Sequence, residues 1–168
     1  MSARPKVLIL MGSDSDLPVV QEAAKFLDRM EVPYAMRVSS AHRSPGRTRR
    51  LVAEAEAQGV EVFVCAAGMA AHLAGVVAAE TVRPVIGVPV DAGALRGMDA
   101  LLSTVQMPPG IPVATVAIGK AGARNAAVLA CQILALKDPD LTLRLRSLRE
   151  AMAREVEEKD ARVGGEAG

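Results

Sequence analysis

The stretch KVLILMGSDSDLPVVQEAAKFLDRM, residues 6–30, carries two hydrophobic periods in succession. Residues 6–12 are apolar almost without a break and end in Gly12. A strand with one wet face would alternate, so a continuous apolar run marks a strand buried on both faces, as in a parallel sheet. Beyond the glycine the spacing changes. Leu17, Val20, Ala24, Leu27 and Met30 recur at intervals of three and four and share one side of a helix. Pro18 falls in the first turn of that helix, where its missing N–H leaves no bond unmade.

The same alternation runs down the chain. VPYAMRVSS (32–40) reads as a second strand, and Pro45 opens a helix that runs to Gln58 and is ended by Gly59. VEVFVCAAG (60–68) is a third strand, AAHLAGVVAAET (70–81) a helix of small residues, and RPVIGVPV (83–90) a fourth strand with Pro84 at its start. A Gly- and Pro-rich connection follows, with a short helix expected at 95–103, and then a fifth strand, IPVATVAIG (111–119). Strands alternating with helices predict an α/β fold of three layers, a doubly wound parallel sheet with helices on both faces. Right-handed crossovers then favour a flavodoxin-like arrangement.

The last third departs from this pattern. GARNAAVLACQILALK (122–137) is apolar nearly all round, as expected of a helix enclosed by something larger. Asp138 and Pro139 supply the cap and first residue of another helix, along which Leu141, Leu145, Leu148, Met152 and Val156 form a stripe. The stripe needs a partner surface, in this chain or in a neighbouring subunit. One domain over 1–162 is expected, with residues 163–168 fraying as a tail.

Composition narrows the function. Hydrophobic residues at 51% and charged residues at 23% describe a globular chain. A net charge of +1 gives no field to gather nucleic acid or anionic lipid. Apolar runs stop well short of the roughly 20 residues a membrane helix needs, and the N-terminal run is a strand rather than a signal peptide. Cys65 and Cys131 lie inside apolar segments and read as reduced core thiols, which suits the cytoplasm. With aromatics at 2% and no Trp, few rings are left to stack on a flavin or a base.

Ligands of open parallel sheets bind at the carboxyl ends of the strands. Three stretches fall there. GSDSD (12–16) joins strand to helix: Gly12 admits a close backbone approach, Ser13 and Ser15 offer hydroxyls, and the helix start offers N–H donors suited to one phosphate. Asp16 would repel that phosphate and is better matched to a ribose diol, although a carboxylate or serine there also simply caps a helix. SAHRSP (40–45) adds Ser40, a proton-carrying imidazole at His42 and a planar cation at Arg43. Arg47, Arg49 and Arg50 follow on an exposed helix face, where Arg50 is spaced to pair with Glu54. GMAAHLAG (68–75) is a turn poor in side chains that lets a flat ligand lie against backbone, with His72 lining it. No metal-ligand spacing and no Ser-His-acid arrangement is present.

These stretches, with GVPV (87–90), VQMPPGIPVATVAIGKAGARNAA (105–127) and the leucine-striped final helix, resemble the class I N5-carboxyaminoimidazole ribonucleotide mutase family of bacterial purine biosynthesis. The resemblance implies an isomerase needing neither metal nor organic cofactor. It would move a carboxylate from the exocyclic nitrogen of an aminoimidazole ribonucleotide to ring C4. His42 is implied as the catalytic acid and base. Ser13, Ser15, Ser40 and Arg43 are implied as phosphate and substrate contacts, and Asp16 as the ribose contact. Gly68, Ala70, Ala71, His72 and Leu73 are implied as the pocket for the carboxylate and carbon dioxide. A homo-octamer whose C-terminal helix packs on neighbouring subunits is also implied. The chain departs from the family pattern at Met69, where Gly is expected, and at Ala74, where Pro is expected. Two other readings compete. One is a class II aminoimidazole ribonucleotide carboxylase using free carbon dioxide, which usually carries Lys at the position of Arg43 and lacks AAHLAG. The other is a non-enzymatic phosphate-binding module of flavodoxin-like fold.

Overall fold

The computed structural model describes residues 4–165. Strands β1 (Val7–Met11), β2 (Tyr34–Val38), β3 (Val62–Gly68), β4 (Val85–Val90) and β5 (Ala114–Thr115) form one sheet in the order β2-β1-β3-β4-β5. All neighbouring pairs are parallel. The helices are α1 (Leu17–Arg29), α2 (Pro45–Ala57), α3 (Leu73–Glu80), α4 (Met98–Val105), α5 (Gly119–Ala135) and α6 (Pro139–Gly165). The strand order reverses between β1 and β3, where connections leave for opposite faces of the sheet.

Two cores flank the sheet. Val7, Ile9, Val64 and Ile86 pack under α1 and α5, through Val20, Leu27, Ala126 and Ala130 among others. Leu8, Leu10, Phe63 and Cys65 face α2 and α3, through Val52, Ala55, Leu73 and Val77. The central strands β1, β3 and β4 are thus wetted on neither face, as their unbroken apolar runs require. Helix α4 covers the β4 side of the second face. A Cβ on Gly87 would collide with Thr104 Cγ2 and lie 2.9 Å from Val113 Cγ1, so glycine sets that spacing.

Several expected bounds shift. The fifth strand, expected at 111–119, pairs only through Ala114 and Thr115. It is an edge strand, Pro112 has no N–H to give, and the chain must turn into α5 at Gly119, whose φ is +75°. The third helix starts at Leu73 rather than at 70, because Met69 in the left-handed region (φ +55°) makes a separate turn first. The short helix lies at 98–105, entered through Gly97 at φ +85°. Arg49, not Arg50, forms an ion pair of α2: its Nε is 2.9 Å from Glu80 Oε1, because α3 lies alongside.

Helix α5 turns Ala123, Ala126, Ala127 and Ala130 toward α1 and the sheet, while Gly122 abuts the Ala117 backbone ahead of the helix. Its enclosure therefore comes largely from its own chain. Asp138 caps α6 by accepting the Leu141 N–H at 2.9 Å. Leu141 and Leu148 join the α1/α5 core, whereas Met152 and Val156 are exposed. The helix runs through Gly165; residues 166–168 of the expected tail lie outside the described residues.

Glu61, ahead of β3, takes Lys6 at 2.8 Å and also Lys137, fastening the entry of β1 and the exit of α5 at one corner. Burial works to raise its pKa, but the two ammonium groups outweigh it and hold the carboxyl below its usual range. Cys65 and Cys131 are buried free thiols, and burial pushes Cys131 up to about 12 against the pull of Arg144. Among the described residues no helix is long and apolar enough to cross a membrane.

Candidate active site

A crevice of about 420 Å³ opens at the carboxyl end of the sheet, at the reversal between β1 and β3. Three loops build it. The first leaves β1, whose ladder continues through Gly12 N–H to Ala66 O at 3.0 Å. Ser13 is extended and begins a 3-10 turn, Asp14–Asp16. Its hydroxyl accepts the Ser15 N–H at 3.3 Å, while its own N–H donates to Asp16 Oδ2 at 3.1 Å. This reciprocal cap aims the first turn and holds Asp16 at 6% exposure. Burial raises the Asp16 pKa, and the Asp14 charge adds to this. Hydrogen bonds from the Ser13 and Gly12 backbone pull the other way without cancelling the rise.

The second loop follows β2. Ser39 anchors it twice: its N–H donates to Met11 O at 2.8 Å, and its hydroxyl meets Thr48 Oγ1 at 2.9 Å inside the protein. Ser44 closes the turn, donating from N–H and hydroxyl to Ser40 O at 2.9 and 3.0 Å. Ser40 Oγ in turn accepts the Arg43 N–H at 3.1 Å and Arg43 Nε at 3.4 Å. The guanidinium is thereby drawn back over the loop, and among the described residues the rest of its donor fork has no partner, which suits an anion.

The third loop follows β3. Gly68 runs so close to the β4 loop that a Cβ on it would stand 2.7 Å from Ala92 Cβ. The His72 N–H donates to Ala70 O at 2.8 Å and its carbonyl accepts the Val76 N–H at 2.9 Å, which seats His72 at the mouth of α3. From there its Nδ1 lies 2.7 Å from His42 Nε2, with ring planes at 89°. A nitrogen-to-nitrogen hydrogen bond needs one N–H and one lone pair, so while it stands the two rings together hold at most one added proton. The pair can take or give a single proton at the edge of the crevice.

Every residue expected at the site lines this crevice except Ala71, which is buried behind it. Ala41, Ala67, Met69 and Ala92 line it too. Ala92 comes from the β4 loop, a connection whose small residues gave no sign of contact with the other three. Among the described residues no three of His, Cys, Asp and Glu gather as a metal site does. Hydroxyls, helix-start N–H groups, an arginine and a hydrogen-bonded imidazole pair gathered in one crevice suit an anionic substrate that undergoes proton transfer.

Fold and crevice define a flavodoxin-like α/β protein with a site of single-nucleotide size. A family model described as AIR carboxylase matches residues 6–155, and the chain belongs to that family. It is similar to the N5-carboxyaminoimidazole ribonucleotide mutase of Pyrococcus abyssi, 58% identical over 150 residues, 89% of this chain and 85% of that protein. The Escherichia coli K12 protein of the same name is 51% identical over 151 residues, covering 90% and 89%. Among solved structures, Treponema denticola PurE superposes with a TM-score of 0.86 at 31% identity, covering 95% of this chain and 98% of that one.

Proposed function

We propose that this protein is an isomerase of purine biosynthesis, converting N5-carboxyaminoimidazole ribonucleotide to 4-carboxy-5-aminoimidazole ribonucleotide. The observation that carries this reading is the meeting of Ser13, Ser15, Ser40, Arg43 and the His42–His72 pair in one crevice. The 5′-phosphate sits on the serine hydroxyls and Arg43, and the ribose diol on Asp16. The heterocycle lies against the backbone of Gly68 and Ala70 with Leu73 behind it, and Ala71 shapes that wall from beneath.

The chemistry follows from charge. Breaking the N–C bond of the carbamate leaves an electron pair on nitrogen, which His42 protonates, and releases neutral carbon dioxide. Ring C4, made electron-rich by the amine, attacks that carbon. His42 then removes the C4 proton and is restored. Positioned proton transfer of this kind contributes about 10²–10⁴-fold, and the remainder comes from orientation and exclusion of water. The steps use side chains alone and route nothing through a metal or organic cofactor. The exposed end of the α6 stripe, Met152 and Val156, supports a homo-oligomer, an octamer in this reading, and the two free thiols fit a cytoplasmic setting.

Carboxylation by free carbon dioxide is disfavoured by Arg43 and the AAHLAG loop, and mere phosphate binding leaves the imidazole pair without a purpose. Two incubations separate the readings: the carbamate alone, and the amine with bicarbonate. Efficient turnover of only the second would overturn the isomerase. His42→Asn should keep substrate binding while turnover falls by about 10²-fold or more; unchanged turnover removes His42 from the mechanism.

A further inference from the structure

The turn after β1 is held by its own acids. The Ser13 hydroxyl accepts the Ser15 N–H and donates to Asp14 Oδ1 at 3.1 Å, while the Ser13 N–H goes to Asp16 Oδ2. Ser13 and Ser15 line the crevice, whereas Asp14 between them is exposed at its rim. A hydroxyl has one proton to donate, so Asp14 and any phosphate at Ser13 compete for it. Asp14 also acts at a distance. Burial is the main reason the Asp16 pKa is raised, and the Asp14 charge adds to it, so the field of Asp14 reaches the crevice lining. Among the described residues Arg43 is the one permanent cation lining the crevice, against Asp16 within it and Asp14 at its edge. The turn does not need Asp14 as a cap, because Ser13 and Asp16 make the reciprocal cap between them.

We propose that Asp14 is a charge filter at the phosphate end of the crevice, admitting one phosphate monoester and turning away di- and triphosphates. This rests on the phosphate placement proposed above. A monoester held by Ser13, Ser15 and Arg43 ends at the serines and takes from Asp14 only the Ser13 proton. A second phosphate has to extend away from the ribose, toward the rim that the Asp14 carboxylate occupies. Arg43 alone would favour the more highly charged ligand. A like charge at contact distance opposes this by about five-fold in binding per charge pair, even in bulk water. Discrimination then comes from a repulsive group rather than from a better contact.

The test uses the full chain and the carbamate substrate at one neutral pH and fixed ionic strength, with a chelator present and enzyme-free blanks. Inorganic phosphate and pyrophosphate are the competing anions, and the quantity read is the ratio of their inhibition constants. In wild type, pyrophosphate should inhibit no better than phosphate despite its larger charge. Asp14→Asn keeps an acceptor for the Ser13 hydroxyl but loses the charge, and should shift the ratio about five-fold toward pyrophosphate. Asp14→Ser should shift it likewise and serves if the Asn variant folds poorly, whereas Asp14→Glu should stay with wild type. The shift should shrink as salt is added; a fold defect would instead weaken both anions alike. An unchanged ratio in both neutral variants overturns the proposal. Phosphate that fails to compete with the carbamate, or that inhibits Arg43→Ala as well as wild type, rejects the phosphate placement itself and the filter with it.

Discussion

Asp16 is held by the fold in a place where its charge is unwelcome. Its pKa is raised by burial, so ionising it costs the folded state more than the unfolded one. Stability from this group is present below the ordinary carboxylate pKa, about 3.9, and is lost as pH rises through the raised folded value. Asp16→Asn keeps an acceptor for the Ser13 N–H without the charge. It should unfold at a higher temperature than wild type near pH 7.5, with the gain vanishing below about pH 3.9 in parallel melts. In the ribose-binding role proposed for Asp16, loss of the charge should also raise KM about ten-fold or more. A variant that melts lower at neutral pH would contradict this account. The residue types of the site were legible in the sequence because GSDSD and SAHRSP are local motifs at strand ends. The His42–His72 contact was not, since it joins residues 30 apart whose loops converge only because β2 and β3 flank β1.

Elements with a clear period were read well, and elements shaped by neighbours were not. The runs of β1, β3 and β4 and the spacing of α1 and α2 fix those segments locally. The fifth strand could not be bounded, because an apolar run does not reveal how much ladder an edge strand will find. The start of α3 was missed because nothing in the letters of GMAAHLAG announces a left-handed Met69. Helix α5 is enclosed, as its apolar composition predicts, and largely by its own chain, because its alanines mark close approach to α1 and the sheet. Gly87 illustrates how tight such approach becomes. Gly87→Ala would drive a methyl into Thr104 and Val113, and overpacking of this kind costs about 1–3 kcal/mol. Urea denaturation should show that loss as a lower midpoint with an unchanged slope, and an unaltered midpoint would mean that α4 floats free of β4.

The molecule as a whole leaves apolar surface uncovered. Met152 and Val156 on α6 are 53% and 65% exposed, beyond the turns that Leu141 and Leu148 seat in the core. In the homo-oligomer proposed above, replacing both, as Met152→Asp with Val156→Asp, should lower the assembled mass in light scattering while the far-ultraviolet spectrum stays that of an α/β fold. An unchanged mass would move the subunit contact to another face. The crevice has a consequence at this scale as well. Its three loops come from distant parts of the chain and feed layers on opposite sides of the sheet. A nucleotide lodged among them would act as a clasp on the entire tertiary structure, and its grip would strengthen with the logarithm of its concentration. Loaded copies would then outlast empty ones under heat or protease, tying the amount of this protein in a cell to the supply of what it consumes.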